Sequence, residues 1–95
     1  MAAYVIANVD VTDPTGYAEY RTLVPATIEA YGGRYLVRGG AHQVVEGDWQ
    51  PKRVVVLEFP TLADARRWYD SEEYRRPKAI RFRCARTDVV FVEGA

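Results

Sequence analysis

Apolar and polar residues alternate from Ala3 to Val11, the period of a β-strand, whose side chains point to opposite faces in turn. Val5, Ala7, Val9 and Val11 make one apolar face, and Tyr4, Ile6, Asn8 and Asp10 make the other. The period then changes. Tyr17, Tyr20, Val24, Ile28 and Tyr31 recur at steps of three and four, which is one stripe of a helix. Asp13-Pro14 supplies its start: a side-chain acceptor at the cap, then a residue whose missing N–H costs nothing there. Gly32-Gly33 ends it, since a helix C-terminus favours a left-handed residue. Pro25 lacks a backbone donor and is expected to kink this helix or split it in two.

Alternation returns in Arg34–Gly39. Arg34, Leu36 and Arg38 are expected on one face and Tyr35 and Val37 on the other. Gly39-Gly40 permits a sharp turn or a bulge. Ala41–Gly47 reads as a short extended piece. The turn-rich Gly47–Pro51 leaves Trp49 exposed, either packed locally or part of a partner surface. Arg53–Phe59 is the strongest strand, and its apolar run Val54–Leu57 suggests burial on both faces. Pro60 stops it. Thr61 with Asp64 fits a capping box, Asp standing where Glu is usual. The helix that follows is expected to turn Leu62, Ala65 and either Trp68 or Tyr69 to the sheet. Ser71-Glu72-Glu73 reads as a second cap, and Tyr74, Ile80 and Cys84 continue a stripe to about Arg83, bent or restarted at Pro77. Thr87–Glu93 is the last strand.

This order is βαββαβ, the split-βαβ or ferredoxin-like plan: an α+β fold with helices on one face of an antiparallel sheet. Ninety-five residues suit a single domain. The two sheet faces differ. Val5, Ala7, Val9 and Val11, with Tyr35, Val37, Val55, Leu57 and Phe59, are apolar throughout and are expected under the helices. Tyr4, Ile6, Asn8, Leu36, Arg38, Val54, Val56 and Glu58 are half apolar, and soluble monomers rarely leave such a patch bare. A second copy packed sheet to sheet about a two-fold axis is the expected cover. Arg38 and Glu58, enclosed there, either neutralise one another or wall a small-molecule pocket.

Charge narrows the partners. Thirteen basic and thirteen acidic residues cancel, so neither nucleic acid nor an anionic membrane has a general electrostatic attraction for the chain. Arg75-Arg76-Pro77-Lys78 with Arg81, Arg83 and Arg86 reads mainly as a solvated helix side. One cysteine forms no internal disulfide and offers no metal spacing, and Cys84 reads as a small buried hydrophobe. No metal site is expected. No apolar run approaches the about 20 residues that span a bilayer. Met1-Ala2-Ala3-Tyr4 shows no targeting pattern, so a cytoplasmic location is expected.

No nucleophile elbow, phosphate loop or dinucleotide fingerprint is present, and no cofactor is expected. The candidate chemistry rests on Arg38, placed to bind a carboxylate or stabilise an oxyanion. Glu58 or His42 would exchange protons, although His42 reads more readily as a surface histidine, since nothing at a fixed spacing orients it. Asn8, Tyr35, Trp68, Tyr69, Tyr74 and Arg81 are the candidate ligand-binding residues. Three functions fit: an enzyme acting on a small organic acid or aromatic substrate, a non-catalytic small-molecule binder, or a structural homodimer.

Several stretches in this order and spacing resemble a known family. They are Tyr17-Ala18-Glu19-Tyr20, Tyr31-Gly32-Gly33-Arg34-Tyr35-Leu36-Val37-Arg38-Gly39-Gly40, Val56-Leu57-Glu58-Phe59-Pro60, Ala65–Tyr74, Arg81 and Val90-Phe91-Val92-Glu93-Gly94. The family is that of domain of unknown function 1330, in the dimeric α+β barrel superfamily, and the likeness spans essentially the whole chain. Pro77 is its least typical feature. The resemblance implies a ferredoxin-like protomer and a homodimer whose sheets face each other. It implies no reaction, although related barrels include cofactor-independent monooxygenases.

Overall fold

The computed structural model describes residues 1–95. The chain runs β1 (Ala3–Val11), α1 (Pro14–Ala30), β2 (Arg34–Arg38), β3 (Val54–Phe59), α2 (Leu62–Tyr69), α3 (Glu72–Cys84) and β4 (Ala85–Glu93). The four strands form one antiparallel sheet in the order β2-β3-β1-β4, which is the ferredoxin-like arrangement.

The helix ends follow from local chemistry. The Asp13 carboxylate accepts from Gly16 N (3.3 Å), the Thr61 hydroxyl from Asp64 N (3.1 Å) and the Ser71 hydroxyl from Tyr74 N (3.1 Å). α1 closes in a Schellman motif: Gly33 N donates to Ile28 O and Gly32 N to Glu29 O, both at 3.0 Å, with Gly32 at φ +78°. Pro25 and Pro77 each lie inside a single helix, so neither splits its segment. Pro25 does remove one donor, the N–H that would reach the carbonyl of Arg21 four residues back.

The core lies between the helices and one sheet face. Val5, Val9, Leu57 and Phe59 come from the sheet, Tyr17, Tyr20, Val24 and Ile28 from α1, Ala65 and Trp68 from α2, and Tyr74, Ile80 and Cys84 from α3. Trp68 is the buried one of the Trp68/Tyr69 pair, and Tyr69 packs at the core's edge. Leu62 stays largely exposed.

Two further expectations are corrected. Ala41–Gly47 forms no strand, and residues 41–50 are exposed throughout, Trp49 among them. The second concerns β2. Arg34 pairs with Glu58 and Tyr35 with Leu57, but Val37 then pairs with Val56 and Arg38 with Val55. Leu36 is the extra residue of a bulge. Because strand faces alternate strictly, one extra residue exchanges the faces of everything after it. Val37 therefore joins the open face, and Arg38 turns to the helix side beside Tyr35, still exposed at the edge of the sheet.

Candidate functional site

The core does not close completely. A cavity of about 50 Å³ remains between sheet and helices, with 14 of its 19 lining residues hydrophobic. Val5, Ala7 and Val9 of β1 and Val55 and Leu57 of β3 form its floor, and Tyr17, Tyr20, Val24, Ile28, Trp68, Tyr69 and Tyr74 form its roof. Arg21, Tyr35, Arg38, Arg53, Arg81, Thr87 and Val89 complete the wall. No aspartate, glutamate or histidine lines it.

One end is a chain of hydroxyls on a buried cation. Trp68 stacks on Tyr74 with ring centroids 4.2 Å apart, and its Nε1 donates to the Thr27 hydroxyl at 3.0 Å. The hydroxyls of Tyr20 and Tyr74 share a hydrogen bond of 2.8 Å. Arg81 Nε donates to the Tyr74 oxygen at 3.2 Å, and Arg81 Nη1 donates to Thr87 Oγ1. Burial pushes both phenols up; the neighbouring Tyr74 pushes Tyr20 further, while Arg81 pulls Tyr74 back part of the way. Burial alone would lower Arg81, but Tyr74 and Tyr20 outweigh it, and the guanidinium is held above its ordinary value. Arg81 is only 4% exposed, yet no carboxylate pairs with it.

The other end carries Arg38 and Arg53. Arg38 lies over the Tyr35 ring, 4.5 Å from its centroid, and its Nη2 donates to the Arg21 carbonyl at 3.0 Å. That carbonyl is the one Pro25 leaves without its i+4 donor, so the strand clasps the helix where the helix is short of a hydrogen bond. Arg53 lies 5.7 Å over Tyr17, and its buried Nε has no partner. Burial raises Tyr35, opposed by Arg38 beside it.

Six of the nine sequence candidates come together here: Tyr35, Arg38, Trp68, Tyr69, Tyr74 and Arg81. The other three do not. Glu58 is on the open face, bonded to Arg34 Nε at 2.7 Å, so the Arg38–Glu58 pair does not form. Asn8 is also on that face, its side-chain oxygen accepting from Lys52 N at 2.8 Å. His42 is exposed in the loop after β2. Arg81 belongs to the buried stripe Tyr74, Pro77, Arg81, Cys84 and not to the solvated side of its helix. Arg53, Tyr17, Tyr20 and Thr87 went unrecognised as wall residues. Arg53 could have been found, because it shares strand parity with Val55, Leu57 and Phe59. Across the whole chain, no group of three or more His, Cys, Asp or Glu side chains is placed to hold a metal ion. No helix is long and apolar enough to cross a membrane.

A family model described as domain of unknown function, DUF1330, matches residues 2–95. The chain belongs to the DUF1330 family. No curated protein matches this DUF1330 chain, but solved structures share its fold. A protein of unknown function from Rhodopseudomonas palustris superposes with a TM-score of 0.78 at 18% identity, covering 99% of this chain and 82% of its own. SnoaB, a cofactor-independent oxygenase from Streptomyces nogalater, gives 0.68 at 7% identity, with 99% and 93% covered. A dimeric ferredoxin-like protein of unknown function from Jannaschia sp. CCS1 gives 0.67 at 12% identity, with 99% and 100% covered. The DUF1330 chain thus has the ferredoxin-like fold of proteins that include one described as dimeric.

Proposed function

We propose that this DUF1330 protein is a homodimer whose protomers each take a small organic acid or aromatic compound into the cavity between sheet and helices. The observation that carries this reading is the cavity wall: aromatic rings and the guanidiniums of Arg38, Arg53 and Arg81, with no carboxylate to neutralise them. Arg81 and the Arg53 Nε are buried, while Arg38 stands exposed at the rim; a buried cation without an anion is costly unless something else compensates it, and a ligand oxygen supplies that compensation. At about 50 Å³ the cavity holds only a few waters, against about 300 Å³ or more in ordinary ligand sites. Admission of a ligand therefore needs the walls to move apart, and Arg38, exposed at the rim and held by one hydrogen bond to the Arg21 carbonyl, is free to swing away.

The dimer reading is supported by the open face. Leu36, Val37, Val90 and Val92 are 45, 39, 54 and 42% exposed and surround Ile6, Val54 and Val56. That is a contiguous apolar surface of the kind a partner covers.

Turnover, in this reading, follows the cofactor-independent pattern of the oxygenase that shares the fold. The guanidiniums stabilise an oxyanion on the substrate itself, whose proton passes to water, and so lower the cost of that ionisation. A non-catalytic binder is the second reading, favoured by the lack of any Asp, Glu or His on the wall to accept a proton. Native mass spectrometry on protein purified without added ligand tests the occupancy and the dimer together. A dimer retaining a small organic acid is expected, and loss of that compound in the R38A dimer would tie it to the cavity. A bare monomer at micromolar concentration contradicts the dimer, and an adduct retained equally by R38A contradicts the cavity.

A further inference from the structure

Arg38, exposed at the end of β2, and Arg53, one residue before β3, lie on the helix side of the sheet and both line the cavity. Each lies over a tyrosine ring, Arg38 over Tyr35 and Arg53 over Tyr17. Neither meets a carboxylate. Arg53 Nε is buried without an acceptor, and the only hydrogen bond from the Arg38 head is its single contact with the Arg21 carbonyl. The backbone has been shaped to put them there. The bulge at Leu36 turns Arg38 inward, and Gly39, at φ +72°, leaves room for the Arg53 guanidinium, which would collide with a Cβ at that position. Two planar cationic forks with spare donors, set against aromatic faces, match a carboxylate joined to a flat ring.

We propose that Arg38 and Arg53 form the carboxylate seat of this cavity and that its ligand is an aromatic monocarboxylate. The inference rests on the occupancy proposed above and adds the charge class and the residues that read it. Arg53 Nε donates to one carboxylate oxygen. Arg38 exchanges the Arg21 carbonyl for the other, so the residue that closes the mouth also completes the seat. The ring then lies between Tyr17 and Tyr35.

Calorimetric titration with benzoate and with benzamide, its uncharged isostere, tests the seat. Benzoate is expected to bind at least about tenfold more tightly, the scale of one charge-assisted hydrogen bond. Arg38→Met and Arg53→Met should each remove about that preference while leaving benzamide affinity within about twofold. Arg34→Met, on the open face, should change neither. Should Arg53→Met fail to fold, Arg53→Lys keeps the charge but lacks the Nε donor, and benzoate must still weaken. Equal binding of the two compounds would overturn the seat while sparing an aromatic cavity. Benzoate affinity unchanged in both variants would place the anion elsewhere and also overturn it. Failure of both compounds to bind at millimolar concentration overturns the seat and counts against the occupancy as well.

Discussion

The Arg38 guanidinium donates at 3.0 Å to the Arg21 carbonyl, the acceptor that Pro25 strips of its helical N–H. A proline inside α1 and an arginine on β2 thus act as one device. The helix gives up a backbone bond, and the strand fills the vacancy from across the cavity mouth. Replacing Pro25 with alanine restores an N–H that competes for the same oxygen. Pro25→Ala should therefore loosen Arg38 and ease ligand entry. Faster benzoate association in stopped-flow mixing, with affinity unchanged or improved, is the expected result. Slower association would contradict the clasp.

Gly39 is the second backbone element on which the arginines depend. Its φ of +72° is strained for any residue with a Cβ, and that Cβ would strike the Arg53 head. Gly39→Ala should lower stability by about 1–3 kcal/mol in urea unfolding. Gly40→Ala, where a Cβ meets nothing, should cost little. Equal effects at the two positions would contradict this assignment.

Arg81 offers a contrast between truncation and replacement. Alanine there leaves a void and strips the Tyr74 and Thr87 hydroxyls of a donor, so Arg81→Ala should destabilise by about 2–4 kcal/mol. Methionine fills much of the space and removes a buried charge that no carboxylate balances, so it should cost markedly less. Chemical denaturation of both variants checks the order. Arg81→Met less stable than Arg81→Ala would contradict it.

Buried phenols set an alkaline limit. Tyr20 and Tyr74 titrate above the ordinary tyrosine value of 10.0 because burial disfavours the phenolate. Below about pH 10 both states of the protein keep these protons and stability is unaffected. Above it the unfolded chain releases them while the folded chain does not, so stability falls as pH rises, by up to about 1.4 kcal/mol per pH unit per group. Ultraviolet titration should show these two phenols ionising only with unfolding. Tyr20→Phe should flatten the alkaline decline of the urea midpoint, although it forfeits the 2.8 Å hydrogen bond to Tyr74. An unchanged slope would contradict the burial argument.

Periodicity carried much of the fold. The strand Ala3–Val11, the caps at Asp13, Thr61 and Ser71, and the glycine stop at Gly32 follow from local rules and stand where those rules put them. The site was less legible, and β2 shows why. Arg34-Tyr35-Leu36-Val37-Arg38 alternates without a break, and nothing local marks Leu36 as the residue the pairing skips. A bulge depends on the partner strand, here on Val55, Val56 and Leu57, and a pattern internal to one strand does not contain it. The consequence was an exchange of faces for Val37 and Arg38 and an Arg38–Glu58 pair that does not exist. Arg81 was obscured differently. Its basic neighbours suggested a wet helix side, while its spacing from Tyr74, Pro77 and Cys84 put it on the buried stripe. Asn8 and Glu58 stand on the open face where strand parity puts them, and it is Arg38 that leaves them; their bonds to Lys52 and Arg34 are long-range.

The proposed ligand lies between sheet and helices, not between facing sheets. Amide chemical-shift mapping of the labelled protein with benzoate distinguishes the two directly. The expected perturbations centre on Tyr17, Tyr35, Arg38, Gly39 and Arg53, with the Arg21 neighbourhood shifting as Arg38 leaves its carbonyl. Perturbations centred on Ile6, Val56 and Val90, with the helices silent, would contradict it.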